Sequence, residues 1–159
     1  MKFRIIKIGK IADPNYRQLV DKFEKRLRSF GKVEGIHIKA YPDDQKQMKE
    51  LTARMDLSST EARLTKPDEF LVSLDERGRI LSSPELAELI QTKKGTGLIK
   101  HITFMIGGPY GLPSEVRKKS DFIWSLSKAV FPSDMAWMIV WEQLYRASSI
   151  IQGSSYHHE

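Results

Sequence analysis

Ile106-Gly107-Gly108-Pro109-Tyr110-Gly111-Leu112-Pro113 is the stretch on which the fold turns. The run before it, His101–Ile106, is mostly apolar and reads as a buried strand. Three glycines and two prolines then fall within the seven residues 107–113. Glycine allows positive φ and lets a ligand approach the backbone closely. Pro113 opens residues 114–120 as proline opens the first turn of a helix. Strand, tight loop and helix start are the arrangement that binds cofactors at the carboxyl ends of strands in open α/β sheets. Taken alone, Gly-Gly-Pro between a strand and a helix is also an ordinary turn. It is not GxGxxG, since the third glycine falls too early, and no Gly-Lys-Ser/Thr follows.

Working outward, strands and helices alternate. Residues 2–10 read as a strand carrying Phe3, Ile5, Ile6 and Ile8. Asp13 or Asn15 caps a helix reaching to about Phe30, with Tyr16, Leu19, Val20, Phe23 and Leu27 at helical spacing. Residues 33–40 form a second strand, and residues 45–64 a polar helix with a thin apolar face. Residues 69–75 are a third strand, and Asp75-Glu76-Arg77-Gly78-Arg79 a charged turn. Ser82 or Ser83, with Pro84 and Glu85, starts a helix to about Thr92, and residues 93–97 are a loop. Residues 121–127 are a fifth strand. Ser133 caps a last helix from Asp134 to about Ile151, and Gly153 ends it. The pattern predicts one domain, residues 1–159, with a mostly parallel sheet flanked by helices.

Composition narrows the function. The chain has 159 residues, 40% hydrophobic and 29% charged, as soluble globular domains do. It has no cysteine, which excludes disulfides, a thiol nucleophile and thiolate-bound zinc. A reducing, cytoplasmic setting fits that, and no signal peptide is expected at Met1-Lys2-Phe3-Arg4. No apolar run is long enough to span a bilayer, and we expect no metal site. The formal net charge of +6 suits a polyanion such as nucleic acid. It suits a merely soluble basic protein equally well.

Three strand ends carry loops that converge if the strands are neighbours: Leu74-Asp75-Glu76, Gly107-Gly108-Pro109, and residues 125–132. Two of them are apolar and rich in backbone groups, which suits a planar heterocycle. The last helix carries Trp137, Val140, Trp141, Leu144 and Tyr145 on one broad face. Such a face is core or a contact between subunits, and we expect it to need a partner in a homodimer. Glu142 and Arg146 stand four residues apart, as an exposed pair or as a buried functional one.

Several motifs fall in order at one family's spacing: Ile106-Gly107-Gly108-Pro109-Tyr110-Gly111-Leu112, Trp124-Ser125-Leu126-Ser127, Phe131-Pro132, Glu142-Gln143-Leu144-Tyr145-Arg146-Ala147, and Tyr156-His157. Over its whole length the chain resembles the ribosomal RNA large-subunit methyltransferase H family of the SPOUT class. That resemblance implies an α/β-knot methyltransferase with a C-terminal trefoil knot, a homodimer, and S-adenosyl-L-methionine bound in the knot. The cofactor positions it implies are Leu74, Gly107, Leu126, Ser127, Lys128, Ala129, Val130 and Phe131. The implied reaction is methylation at N3 of a pseudouridine in helix 69 of 23S ribosomal RNA, on assembled ribosomes. Tyr156 and His157 are the expected residues beside the target base, with Glu142 and Arg146 bracing the tail or the partner subunit. Members of that family carry Arg or Lys after the tail histidine, where this chain has His158. A cation that titrates near neutrality there would make any phosphate contact pH-dependent. The competing class is a basic α/β module that grips RNA without catalysis, and cofactor binding separates the two. A dinucleotide-dependent oxidoreductase is disfavoured by the missing GxGxxG.

Overall fold

Alternating apolar residues on short strands, each followed by a helix, give a sheet buried on both faces. The elements are β1 (Lys2–Ile8), α1 (Pro14–Leu27), β2 (Lys32–Ile38), α2 (Asp44–Met55) and β3 (Glu69–Ile80). They continue as α3 (Ser83–Gly95), β4 (His101–Ile106), α4 (Ser114–Lys118), β5 (Phe122–Ser125) and α5 (Ser133–Ile151). The structure is a computed structural model and describes residues 1–55 and 64–156. The sheet order is β2-β1-β4-β3-β5, and all four pairings are parallel.

The two-residue period of β1 sorts its side chains onto two faces. Phe3 and Ile5 join a core built with α1, α3 and α5, including Val20, Leu86, Trp137 and Trp141. Ile6 and Ile8 join a second core with Ile38, Leu51 and Val116, from β2, α2 and α4. Lys7 falls on the first of these faces and is 1% exposed. Its Nζ lies 2.9 Å from Asp134 Oδ1.

The helix starts follow capping chemistry. The Asp13 carboxylate accepts from Asn15 N at 2.8 Å, and Pro14 opens α1. Ser82 and Glu85 form a reciprocal capping box on α3, worth about 1 kcal/mol. The start of α5 differs from the expectation. Its cap is Pro132, which makes no side-chain bond, and Ser133 is the first helical residue. Asp134 instead turns its carboxylate to the Ala12 amide at 2.8 Å and to Lys7, tying the helix start to β1.

Three further expectations change. Residues 75–79 are not a free turn: β3 runs on to Ile80 and pairs with β5 again at Arg79 and Ile80, after a register shift. A Cβ on Gly78 would lie 2.6 Å from the Ile123 carbonyl oxygen, so glycine permits that return. Helix α3 continues through Gly95 rather than stopping near Thr92. Helix α2 ends at Met55, and the rest of the expected 45–64 helix lies outside the described residues, except Leu64, which is buried in a bend.

The aromatic face of α5 is core. Trp137, Val140, Trp141 and Leu144 are at most 1% exposed within the single chain. It therefore needs no partner subunit, contrary to the reason given above for a dimer. Gly35 of β2 makes room for it, since a Cβ there would lie 2.9 Å from Trp141 Cζ2. Gly35→Val should cost about 1–3 kcal/mol through overpacking. Thermal unfolding should then fall by roughly 2–4 °C per kcal/mol. An unchanged midpoint would mean that the indole moves aside freely.

Candidate active site

Because β4, β3 and β5 are adjacent and parallel, the irregular stretch of β3 between Leu74 and Arg79 and the loops after β4 and β5 share one edge of the sheet. They enclose a cleft of about 320 Å³. Leu74, Gly107, Leu126, Ser127, Ala129, Val130 and Phe131 line it, as do Ser133 and Ala136 of α5. Lys128 belongs to the same loop and is exposed, but it is not among the lining residues.

The 125–131 loop holds its own shape. Ser125 Oγ donates to the Ser127 carbonyl at 2.8 Å, and the Ala129 amide donates to Ser127 Oγ at 3.0 Å. Trp124 underlies the cleft, packed edge-on against Phe104 with ring centres 6.0 Å apart. Its indole N–H is buried and finds no acceptor among the described residues.

The glycines serve the loop's own packing. A Cβ on Gly107 would lie 2.7 Å from the Gly111 carbonyl carbon, and one on Gly108 would lie 2.6 Å from the Ile8 carbonyl oxygen. Gly111, at φ +73°, turns the chain back so that its amide donates to the Gly108 carbonyl at 3.0 Å. The steric demand at Gly107 therefore comes from neighbouring backbone rather than from ligand approach. A branched residue there would break the loop before it met a ligand.

Charges gather at the mouth. Asp75 takes Arg77 in a two-point clasp, Nε to Oδ1 at 2.8 Å and Nη2 to Oδ2 at 2.9 Å. Arg117 Nε lies 3.6 Å from Asp75 Oδ2, and Arg117 Nη1 donates to the Leu112 carbonyl at 2.9 Å. The hydrogen bond from Arg77, above all, holds the Asp75 carboxyl down at about 2. So weak a base cannot take a proton at neutral pH, and Asp75 is a fixed anion. Sequence reading placed Asp75 here but missed Arg117, which lines the cleft from α4.

Glu142, Arg146 and Tyr156 form a second cluster. Arg146 Nε and Nη2 donate to Glu142 Oε1 at 2.9 and 2.6 Å. The Tyr156 hydroxyl donates to the same oxygen at 3.4 Å. The Tyr156 ring packs edge-on to Tyr145 at 4.5 Å, with the Arg146 guanidinium 4.9 Å from its centre. Burial, then the Glu142 carboxylate, pushes the phenol above its ordinary value, so it stays protonated at neutral pH. His157 and His158 lie outside the described residues. Glu142 and Arg146 follow Ala136 by six and ten helical residues, about 9 and 15 Å along the axis. One chain therefore does not bring this cluster together with its own cleft. Among the described residues no group of His, Asp and Glu could hold a metal ion, and no helix is long and apolar enough to cross a membrane.

Comparison with known proteins fits this architecture. A protein described as ribosomal RNA large subunit methyltransferase H from Thermotoga maritima is 37% identical over 158 residues, covering 99% of this chain and 100% of that one. The protein of the same description from Caldicellulosiruptor bescii is 35% identical over 154 residues, covering 97% and 98%. A solved structure, a probable methylase family protein from Haemophilus influenzae, superposes with a TM-score of 0.52 at 14% identity, covering 99% of this chain and 70% of that one. At that identity the likeness concerns the fold alone. The family model described as predicted SPOUT methyltransferase matches residues 1–157, and the chain belongs to that family.

Proposed function

We propose that this protein is a 23S ribosomal RNA methyltransferase that uses S-adenosyl-L-methionine. Its target is N3 of a pseudouridine in helix 69, on assembled ribosomes, and it works in the cytoplasm as a knotted homodimer. The observation that carries the reading is the convergence of the irregular stretch of β3 and the loops after β4 and β5 on one cleft. The relatives' description and the basic net charge support an RNA substrate.

The cleft fits the cofactor. Its volume lies within the range of small-molecule sites. Leu74, Leu126, Val130 and Phe131 offer apolar walls, and the loops offer backbone polar groups. The Trp124 N–H is buried without an acceptor among the described residues. S-adenosylmethionine supplies a methyl group already activated as a sulfonium, so alignment and exclusion of water are the protein's main tasks. The loop 126–131 and Leu74 hold the donor and keep water out. Tyr156 and His157 orient the target base; the N3 proton leaves as the N–CH3 bond forms, to His157 or, if both residues only orient the base, to solvent. Glu142 and Arg146 hold the Tyr156 ring. Since that cluster stands away from its own cleft, the tail serves the cleft of a partner subunit.

Transfer of labelled methyl to assembled ribosomes, followed by mapping of the modified nucleotide, tests the reaction. Label on another base, or none, would overturn the target. Ala129→Trp tests the cleft. Residue 129 is exposed, so the fold should persist while the indole occupies the donor's space. Affinity for S-adenosylmethionine should fall at least about tenfold, 1.4 kcal/mol. Unchanged affinity by calorimetry would place the donor elsewhere.

A further inference from the structure

A second cavity opens on the same carboxyl edge of the sheet, on the other side of the glycine loop. It encloses about 510 Å³ between the ends of β1 and β2 and the first turns of α1. Its lining includes Lys10, Ile11, Pro14, Arg17 and His37, and no carboxylate.

His37 fixes the shape of the site. Its Nδ1 lies 3.3 Å from the Gly9 carbonyl oxygen and its Nε2 lies 3.2 Å from Arg17 Nη1. A carbonyl only accepts and a guanidinium only donates, so Nδ1 carries the proton and Nε2 takes one from Arg17. The ring also packs against Trp137, with centres 4.9 Å apart. Burial, the largest influence, holds the imidazole below its ordinary pKa and so in this neutral form. A neutral histidine thus positions the arginine without neutralising it. The remaining partner of Arg17 is Asp21 at 3.7 Å, on an exposed helix face, and such pairs are worth little. The Lys10 ammonium makes no ion pair among the described residues, although its carbonyl accepts from Lys7 Nζ at 3.2 Å. Two cations therefore face an open, partly apolar cavity with no acid in its wall.

The cavity adjoins the cleft. β1 lies directly beside β4, Lys7 opposite Ile106. The Ala12 amide is held by Asp134, the neighbour of Ser133 in the cleft wall. Neighbouring strands are about 4.8 Å apart, so the two cavities are separated by a distance on the order of 10 Å.

We propose that this cavity binds a nucleotide of the substrate RNA adjacent to the one being methylated, its phosphate between Lys10 and Arg17 and its sugar or base against Ile11 and Pro14. The inference rests on the RNA methyltransferase reading above. RNA reaching the cleft must cross this edge of the sheet, and phosphate is the anion that it brings.

The test uses the full-length protein and purified assembled ribosomes. Lys10→Gln/Arg17→Gln should raise KM for the ribosomes about tenfold with kcat little changed. The salt dependence of binding should weaken by one to two units of log–log slope, the loss of one or two phosphate contacts. Affinity for S-adenosylmethionine should stay as in the wild type. Arg17→Lys should recover part of the loss when paired with native Lys10. Lys32→Gln, at the opposite edge of the sheet, removes a cation without touching the cavity and should leave KM within twofold. A wild-type KM in the double variant, or an equal rise in Lys32→Gln, overturns the proposal while wild-type methyl transfer upholds the enzyme. If the wild type neither binds nor methylates assembled ribosomes, the enzyme reading fails and the proposal falls with it.

Discussion

Deletion of residues 156–159 should abolish methyl transfer, by on the order of 100-fold or more, while affinity for S-adenosylmethionine is unchanged. Among the described residues, Ala136 is the last in the wall of the cleft proposed for the cofactor. Tyr156, by contrast, is held by Glu142, Arg146 and Tyr145, all on α5. Removing it takes away a phenol that stays protonated at neutral pH and whose hydroxyl donates to Glu142. Tyr156→Phe should be slower with an unaltered pH profile. His157→Ala separates two roles. If His157 takes the N3 proton, the wild-type rate should fall as pH drops through its pKa, and that limb should vanish in the variant. If it only orients the base, the variant should be slower with the same limb. Because the tail cluster stands away from its own cleft, mixing the tail-deleted protein with Ala129→Trp should restore some activity through mixed dimers. Full activity in the tail-deleted protein alone would show that the tail takes no part.

Lys7→Met should destabilise the fold by on the order of 3 kcal/mol, lowering the unfolding midpoint by about 6–12 °C. The ammonium is 1% exposed and lies 2.9 Å from a carboxylate that also anchors the Ala12 amide. Taking away one member of such a pair leaves the other charged and poorly solvated. Lys7→Met/Asp134→Leu should be more stable than Lys7→Met, because both charges are gone together. Burial alone would raise the Asp134 pKa, but the hydrogen bonds from Lys7 and Ala12 outweigh it and hold the carboxyl below its ordinary value. A depressed carboxyl contributes stability above its unfolded pKa, about 4, and loses it as pH falls through the folded value. The difference between wild type and Asp134→Asn should therefore be full at neutral pH and shrink in acid. A gap that does not close on acidification would show that the pair does not titrate in this way.

The cleft was legible because its three loops announce themselves as apolar runs ended by polar or glycine-rich breaks. Sequence could place Leu74, Gly107 and the 126–131 loop at strand ends, and parallel pairing then brought the ends together. It could not assign the glycines their task, since Gly107 meets the loop's own return at Gly111 and Gly108 meets Ile8 of β1. Lys7 was half legible. The period that puts Phe3 and Ile5 inward puts Lys7 inward too, but its partner stands at position 134. Arg117 sits in the run Arg117-Lys118-Lys119, which reads as a solvated face until Asp75 is seen beside it. The stripe of Trp137 and Trp141 shows how much surface must be covered but not by what, and Gly35 is the small clue that β2 covers it. The residues beside the target base were named only through the family resemblance, because nothing in spacing ties Tyr156 to a cleft.

The place of β1 in the sheet sets the timing of the protein's birth. Its neighbour β4 is made roughly a hundred residues later. At about 5–20 residues per second, β1 waits on the order of 5–20 s for that partner. Pairings so distant along the chain close slowly. The first core still lacks Trp137 and Trp141 until α5 has emerged. A nascent chain stopped before Ser133 would leave β2 uncovered and the cleft without the wall that Ser133 and Ala136 supply. The cleft is therefore among the last things the ribosome finishes, and a chain cut short at α5 should be a client of chaperones rather than a weak enzyme.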